Sequence, residues 1–549
     1  MPKRSVNDSV LWYMNELTSR IVAESGIPTD RFHLGKIMMQ CMKDDPDLVL
    51  QTDGATGEFE TNRSVLERSV RCASSFRNLG LQQGDVMVLM ALNHLDLGIP
   101  LYAALYLGIG IAAVDRTLGL TELQSTFAVD RPKIVFCQSE KAPDVQIVLN
   151  ELELSAEIVT FDKGDYLLSF NDFLEKYGDD TTVDDFKPND FDPEDTIAFL
   201  IATSGTTGLP KTAAVTHKNI AVSSPYLWSR YRQFPKPTRL ALLGAPLQWL
   251  TAIMTFVIST ILRYPRLQSS LPLTQEHFYH LINTYKPSFT IISPTMMTTL
   301  MKPGDRDQCD FTCFDQIMLG GSAVPPALLD VIKSVTPDTE IINAYGMSEI
   351  TNVAFQGGDA PLGSCGKPMG CFDYRLIDVE TLEDIEEPQV RGELWLKGPG
   401  IFKEYYNNPE ATEETFAEDR WFKTGDMFYR DDNFYYFFVE RIKLLLKYKS
   451  YQISPVELEA VIRQHPGVLD VAVTGIPDEE CGDLPVACVV PRPEDPPTAQ
   501  EIKDLVQETL SDAKQLRGGV IFFSALPVTA TTKVHRRKLK ELALIMERE

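Results

Sequence analysis

Short β-rich apolar runs alternate with helical patterns through roughly the first three-quarters of the chain, and this constrains the fold more than any other feature. Val86–Ala91, Ile109–Val114 and Lys133–Cys137 read as strands, and His94–Leu107 reads as a helix between the first two. Such alternation predicts βαβ units and an α/β architecture of mostly parallel sheets with helices on both faces. The chain has 549 residues, against about 100–200 for an ordinary domain, so at least two domains are expected.

From about Arg391 the texture changes to strands and turns. GELWLKG is followed by two aromatic runs, Phe428–Arg430 and Phe434–Val439, with Asp431–Asn433 between them as a hairpin turn. This predicts a small β-rich subdomain. A compact α+β unit then follows. Ser454-Pro-Val-Glu457 and Thr498-Ala-Gln-Glu501 are capping boxes, each opening a helix with one apolar stripe. His465-Pro-Gly ends the first helix, and Val468–Val473 reads as a strand. The predicted division is an N-terminal domain over residues 1–439 and a C-terminal domain over 440–549.

Charge and cysteine usage exclude several classes. The 77 Asp+Glu outnumber 52 Lys+Arg, giving a net charge of −25, a sign that repels nucleic-acid phosphates and anionic lipid. Between Asp179 and Asp195, seven Asp and one Glu surround a single Lys, which reads as a solvated surface loop. Nine cysteines show no zinc spacing, so reduced, buried thiols are expected rather than a metal centre. Leu240–Leu262 carries no charge and is long enough to span a bilayer. Gly244 and Pro246 break it, so a buried strand, a turn and a buried helix fit better than a transmembrane segment. The start, MPKRSVNDSVLWYMNEL, lacks a signal-peptide apolar core, and IMERE is not a peroxisomal tripeptide. A cytoplasmic location is expected.

The apolar strand Ile197–Ala202 runs directly into Thr203-Ser-Gly-Thr-Thr-Gly-Leu-Pro-Lys211. Gly205 and Gly208 let the backbone turn so that several N–H groups face one anion. Ser204, Thr206 and Thr207 add hydroxyl donors and Lys211 adds a point charge. The pattern differs from the Walker loop, which has Gly directly before the Lys, where Pro210 stands here. Taken alone, a Gly/Ser/Thr loop more often marks a surface turn.

With its downstream motifs in order, this loop resembles the adenylate-forming superfamily of acyl-CoA synthetases, coumarate–CoA ligases and beetle luciferases, in its luciferase-like insect acyl-CoA synthetase branch. The resemblance runs from roughly residue 50 to the end. It implies a large N-terminal domain with a mobile C-terminal lid, and a two-step reaction. A small-molecule carboxylic acid attacks the α-phosphate of Mg-ATP, giving an acyl-adenylate and pyrophosphate. A thiol, usually that of coenzyme A, then displaces AMP. The oligomeric state is left open, with a monomer compatible with this reading.

The resemblance assigns the remaining residues. Gly321 and Ser322 line the adenine, and Gly320 lies with Trp249 in the substrate pocket. In Asn343-Ala344-Tyr345-Gly346-Met347-Ser348-Glu349, Tyr345 stacks on adenine and Asn343 contacts its amino group. Ser348 touches carboxylate and phosphate, and Glu349 holds Mg²⁺, a hard cation suited to one carboxylate plus phosphate oxygens. Asp426 of Thr424-Gly-Asp anchors the ribose diol, Glu440 is the hinge, and Arg441 is a ribose or phosphate contact. Lys533 neutralises charge that develops during adenylation, and Lys447 serves the other half-reaction. Without this context the same residues read as turns, solvated charges and core.

Several positions depart from the family, among them Glu440, where Asp is usual. Thr212 and Ser450 stand where Gly is usual, and Gln248-Trp249 replaces a His pair. Ser450 bears on the coenzyme A path, and Trp249 with the apolar face of Leu250–Leu262 is expected to wall an acyl pocket or simply to pack in the core. The leading expectation is a medium- or long-chain fatty acyl-CoA synthetase. The alternative is a monooxygenase that adenylates and oxidises a luciferin-like acid. A nucleotide-binding scaffold without activity fits less well with Lys211, Glu349, Asp426, Arg441 and Lys533 all present.

Overall fold

The computed structural model describes residues 13–20, 33–162, 164, 168–203, 211–227, 239–322, 324–357, 360–361, 363–448, 451–478, 481–510, 512–528 and 534–549. It divides into two compact units, one of residues 1–373 with 396–422 and one of 374–395 with 423–549.

The first unit is α/β, as the alternation predicts. One eight-stranded sheet carries Glu157–Thr160, Ile134–Cys137, Val86–Met90, Gly110–Ala113 and Ile197–Thr203 as parallel neighbours. Lys211–Thr216 and then Glu404–Tyr405 add antiparallel at its far side. The second sheet has seven strands, with Glu340–Ala344, Gln316–Gly320, Phe289–Ile292, Ala241–Leu243, Arg266–Gln268 and Val49–Asp53 in parallel order. Strands such as Val86–Met90 and Ile134–Cys137 are buried at every residue, which is why they read as continuous apolar runs rather than alternating ones.

The helix expected over His94–Leu107 begins as a short 3₁₀ turn at Leu95–Leu97 and becomes regular from Gly98. Pro100 sits in its first turn, where a missing N–H costs nothing. Every residue of Gly98–Leu107 is buried. Leu101 and Leu105, each 0% exposed, contribute roughly 1.5–3 kcal/mol apiece by that burial. The uncharged stretch resolves as the strand Ala241–Leu243 and the helix Leu250–Ile261. Among the described residues no helix is long and apolar enough to cross a membrane. Tyr102 and Thr260 join the two buried helices through their hydroxyls, 3.1 Å apart.

The acidic segment differs from the solvated loop the sequence suggests. It has no regular structure, yet Phe186 and Phe191 are each only 3% exposed. His33 stacks on Phe191 with ring centroids 3.9 Å apart and bonds the Asn189 carbonyl through Nε2 at 2.9 Å. Lys36 pairs with Asp190. The carboxylates stay outward while their aromatic neighbours anchor the segment in the core.

His33 and His217 are both 0% exposed, with rings 5.5 Å apart. Burial pushes His33 down to about 3, and burial beside His33 pushes His217 well below the ordinary histidine value. Both stay neutral when folded but take up protons when unfolded below about 6.5. Their contribution is therefore complete above pH 6.5 and is lost as pH falls from there toward 3, at up to about 1.4 kcal/mol per pH unit for each histidine. Urea midpoints are expected to fall between pH 7.5 and 5.5, and to fall less in the His33→Asn/His217→Met variant. Equal slopes for variant and wild type would contradict this.

The second unit has a four-stranded sheet in the order Asp373–Ile377, Gly392–Lys397, Phe422–Arg430, Tyr436–Arg441. The last two strands form the expected hairpin, and the Asp431 carboxylate accepts from the N–H groups of Asn433 and Tyr435 at its turn. A five-stranded sheet follows, in which the edge strand Val468–Asp478 pairs along its length with the central strand Gly482–Pro491. Pro455–Ile462 and Ala499–Thr509 pack into one core with this sheet, and Arg536–Ile545 packs into another. Thr498 and Glu501 complete their capping box. Ser454 and Glu457 make only half of theirs, because the Glu457 carboxylate turns to Lys514 at 2.6 Å. Of the β-rich stretch from Arg391, residues 396–422 group with the first unit, and 391–395 and 423–439 group with the second.

Candidate functional site

In the first unit, the expected nucleotide residues meet at the carboxyl ends of two adjacent parallel strands. Gln316–Gly320 and Glu340–Ala344 are hydrogen-bonded with Leu319 opposite Asn343 and Gly320 opposite Ala344. Ligands of open α/β sheets bind beyond such carboxyl ends. Gly320 lies so close to its neighbour that a Cβ would meet the Ala344 carbonyl oxygen at 3.1 Å, and Gly321 has φ +94. Glycine is required there for the turn. Gly321 and Ser322 are exposed beside this edge.

The strand end continues into Tyr345–Ser348, a half-exposed run, and then a 3₁₀ turn over Ser348–Ile350. Asn343 donates its amide N–H to the Ser364 carbonyl at 3.2 Å. The Tyr345 ring lies 6.0 Å from Phe355, and its hydroxyl reaches the Met347 sulfur at 3.9 Å. Gly346 and Met347 pair antiparallel with Val353 and Asn352. Thr351, a β-branched residue at φ +51, closes the turn, a strained backbone for such a residue. Its hydroxyl donates to the Gly400 carbonyl at 2.7 Å, which holds the turn that carries Glu349.

Glu349 is 5% exposed and accepts a 2.8 Å hydrogen bond from the Tyr405 hydroxyl at Oε1. The Lys211 ammonium lies 4.9 Å from the centroid of the same Tyr405 ring. Lys211 is the last residue of the phosphate-loop motif and the first of its strand, opposite Thr203. The structure thus brings Lys211 and Glu349 to one tyrosine. Sequence reasoning missed Tyr405, because a tyrosine on a two-residue strand carries no local signature. Only its register, opposite Ala213 on the Lys211 strand, exposes the link.

Thr212 sits opposite Ala202 in the same antiparallel pair. Its backbone is extended, so the glycine usual there is not needed for conformation. Trp249 is 38% exposed at the start of the helix Leu250–Ile261, whose residues from Ala252 onward are all buried. That helix packs as core. Ser204 to Gly208, Ser450 and Lys533 lie outside the described residues, as does the Lys447 side chain, whose backbone is in the strand Leu446–Tyr448.

In the second unit, Asp426 and Arg441 are cross-strand partners in the hairpin. Their side chains lie 3.5 Å apart, Asp426 being buried and Arg441 accessible. Gly425, at φ +70, donates its N–H to Glu393, while Thr424 donates its hydroxyl to the Leu394 carbonyl. Glu440 is buried and accepts from the Arg441 N–H at 2.9 Å. Desolvation holds its carboxyl above the usual range, partly offset by that hydrogen bond and by the nearby Arg536 charge.

Among the described residues no group of three or more His, Cys, Asp or Glu is arranged to hold a metal ion by itself. All nine cysteines are free, six of them buried.

The match to known proteins follows this geometry. Residues 40–406 match the AMP-binding enzyme family and residues 457–533 the AMP-binding enzyme C-terminal domain. The chain therefore belongs to the AMP-binding enzymes, the adenylate-forming superfamily. It is similar to luciferin 4-monooxygenase of Photuris pensylvanica, 32% identical over 89% of this chain and 91% of that one. It is also similar to 4-coumarate–CoA ligase-like 6 of Arabidopsis thaliana, 28% identical over 89% of this chain and 87% of that one. ATP-bound MatB from Rhodopseudomonas palustris shares the fold, with a TM-score of 0.83 at 22% identity over 93% of this chain and 99% of that one.

Proposed function

We propose that this chain adenylates a medium- or long-chain fatty acid with Mg-ATP and passes the acyl group to coenzyme A. The observation that carries the proposal is the convergence of Lys211 and Glu349 on Tyr405, with Glu349 following directly on the Asn343–Ser348 segment beside Gly320 at the carboxyl edge of the seven-stranded sheet.

Ser204, Gly205, Thr206, Thr207 and Gly208 would cradle the phosphates with Lys211 as their counter-charge. Adenine would lie against Gly321 and Ser322 and under Tyr345. With the Asn343 N–H given to Ser364, its carbonyl oxygen is the atom suited to accept from an adenine amino group. Asp426, with Arg441 beside it, would take the ribose hydroxyls, because a carboxylate accepts two donors side by side.

A Mg²⁺ would be held by Glu349. A hard cation that keeps several waters and binds through one or two carboxylates plus substrate phosphates needs no three-residue protein cage. Such an ion supplies charge neutralisation on the phosphates. Ser348, one residue before the buried carboxylate, is placed to meet the carboxylate of the acid. Lys533 would stabilise the charge developing as the acid attacks, and Lys447 would serve thioester formation. We also propose Glu440 as the hinge at which a lid of residues 440–549 turns between the two steps.

Support for a fatty acid is the replacement of a His pair by Gln248-Trp249, with Trp249 exposed at a helix start. The luciferin 4-monooxygenase relative favours a second reading, in which the acyl-adenylate is oxidised. A panel of carboxylic acids, assayed with and without coenzyme A, separates the two. The proposal predicts AMP and acyl-CoA only when coenzyme A is present, with apolar straight-chain acids preferred. Light or CO₂ release requiring oxygen, without acyl-CoA, would select the monooxygenase instead.

A further inference from the structure

Tyr405 touches two of the residues assigned to the nucleotide yet belongs to neither motif. It is 7% exposed, so its ring is fixed by packing, with the Phe402 ring 4.9 Å away. Backbone bonds tie the Tyr405 segment to the Glu349 segment on one side and to the Lys211 strand on the other. The Phe402 N–H donates to the Glu349 carbonyl at 2.8 Å, and the Tyr406 N–H donates to the Thr212 carbonyl at 2.7 Å. Between these backbone bonds, one side chain meets an anion with its hydroxyl and a cation with its ring face.

We propose that Tyr405 is a positioning residue for the metal–nucleotide site, orienting Glu349 by its hydroxyl and Lys211 by its ring. The proposal rests on the adenylation reading above. A carboxylate has about four lone-pair directions, more than one phenol occupies, so a donor at Oε1 orients the group without consuming its capacity to bind a cation. Partners that orient a metal ligand typically matter by about 10–100-fold in metal affinity or activity when removed. The ring face adds an attraction for Lys211 of a kind worth about 0.5–1 kcal/mol where solvent is near, or about 2–5-fold in binding.

The two interactions separate by substitution. Tyr405→Phe removes one oxygen and keeps the ring, so it should weaken Mg-ATP binding about ten-fold while leaving metal-free ATP within about two-fold. Tyr405→Leu removes the ring as well and should also weaken metal-free ATP, by about 2–5-fold. Calorimetric titration of ATP at fixed free Mg²⁺, and with chelator, reads both without turnover because no acid is present. If Tyr405 acts through Glu349, Y405F added to Glu349→Gln should cost less than about two-fold more. A Y405F chain that binds Mg-ATP normally, loses both forms of ATP equally, shows additive losses with E349Q, or fails to fold would overturn the proposal. Wild type that binds no ATP in either condition would remove the adenylation reading itself. Wild type that binds Mg-ATP and is unaffected by Y405F would remove only the role of Tyr405.

Discussion

Lys533→Ala is expected to lower acid-dependent ATP–pyrophosphate exchange by about 10²–10³-fold while leaving thioester formation from a supplied acyl-adenylate within about two-fold. Lys447→Ala is expected to do the reverse. In adenylation the attacking carboxylate and the α-phosphate are both anionic, and negative charge builds on the bridging oxygen as pyrophosphate leaves. A fixed ammonium at that point lowers the barrier because it is stronger toward the transition state than toward the separated reactants. Thioester formation has a neutral thiol or a thiolate attacking a carbonyl, with AMP as the leaving group, so a lysine placed for the first step has no such charge to meet. The chain as a whole is acidic, at −25, which makes a local cation more necessary. Quenched-flow measurement of each half-reaction in both variants checks the separation. Equal losses in both steps for either lysine would contradict it.

The second large effect concerns Arg266, which is 0% exposed. Its guanidinium donates to Gln268 at 2.7 Å, Ser259 at 2.9 Å, Gln51 at 2.6 Å and Tyr102 at 3.4 Å. It also lies 3.8 Å from the Phe256 ring centroid. No carboxylate is among its hydrogen-bond partners in the described residues; Glu60 lies one amide further out, accepting from Gln51 at 2.6 Å. A buried cation is tolerable here only because neutral acceptors and an aromatic face replace water. The partners come from the seven-stranded sheet and from both buried helices, so this one side chain ties the first unit together. Arg266→Ala leaves a cavity and strands the amide oxygens of Gln51 and Gln268 without their donor. A loss of about 3–5 kcal/mol is expected. Arg266→Lys keeps the charge but not the planar fork and should lose about 1–3 kcal/mol. Urea unfolding of the three chains measures this, and an R266A loss under about 1 kcal/mol would refute it.

Much of the α/β fold is written locally. Val86–Met90 and Ile134–Cys137 are legible because strands covered on both faces must be apolar throughout. The broken run Leu240–Leu262 is legible because Gly244 and Pro246 punctuate it. Arg266 is not legible, since its type predicts exposure and only the convergence of four neutral acceptors, Gln51 and Tyr102 of them far away in the chain, permits its burial. Phe186 and Phe191 are hidden by their acidic surroundings, although the aromatic spacing within that run was a usable signal. Glu457 leaves its capping box for Lys514, a partner 57 residues away that no local pattern contains.

The site divides in the same manner. Gly321 follows from the turn it must make, and Lys211 and Glu349 follow from motif order. Tyr405 follows from neither, because its role is created by strand pairing between residues far apart in the chain. Asp426 and Arg441 were each assigned separately, and their juxtaposition across a hairpin becomes visible only once the register is known.

The proposed reaction begins with activation of a carboxylic acid as its adenylate. Its most direct test is ATP–pyrophosphate exchange without coenzyme A, across straight-chain acids of increasing length, with Glu349→Gln as the control. Exchange is expected to depend on acid and Mg²⁺, to rise with chain length and to collapse in E349Q. Wild type that shows no exchange with any acid, or exchange indifferent to acid, would contradict it.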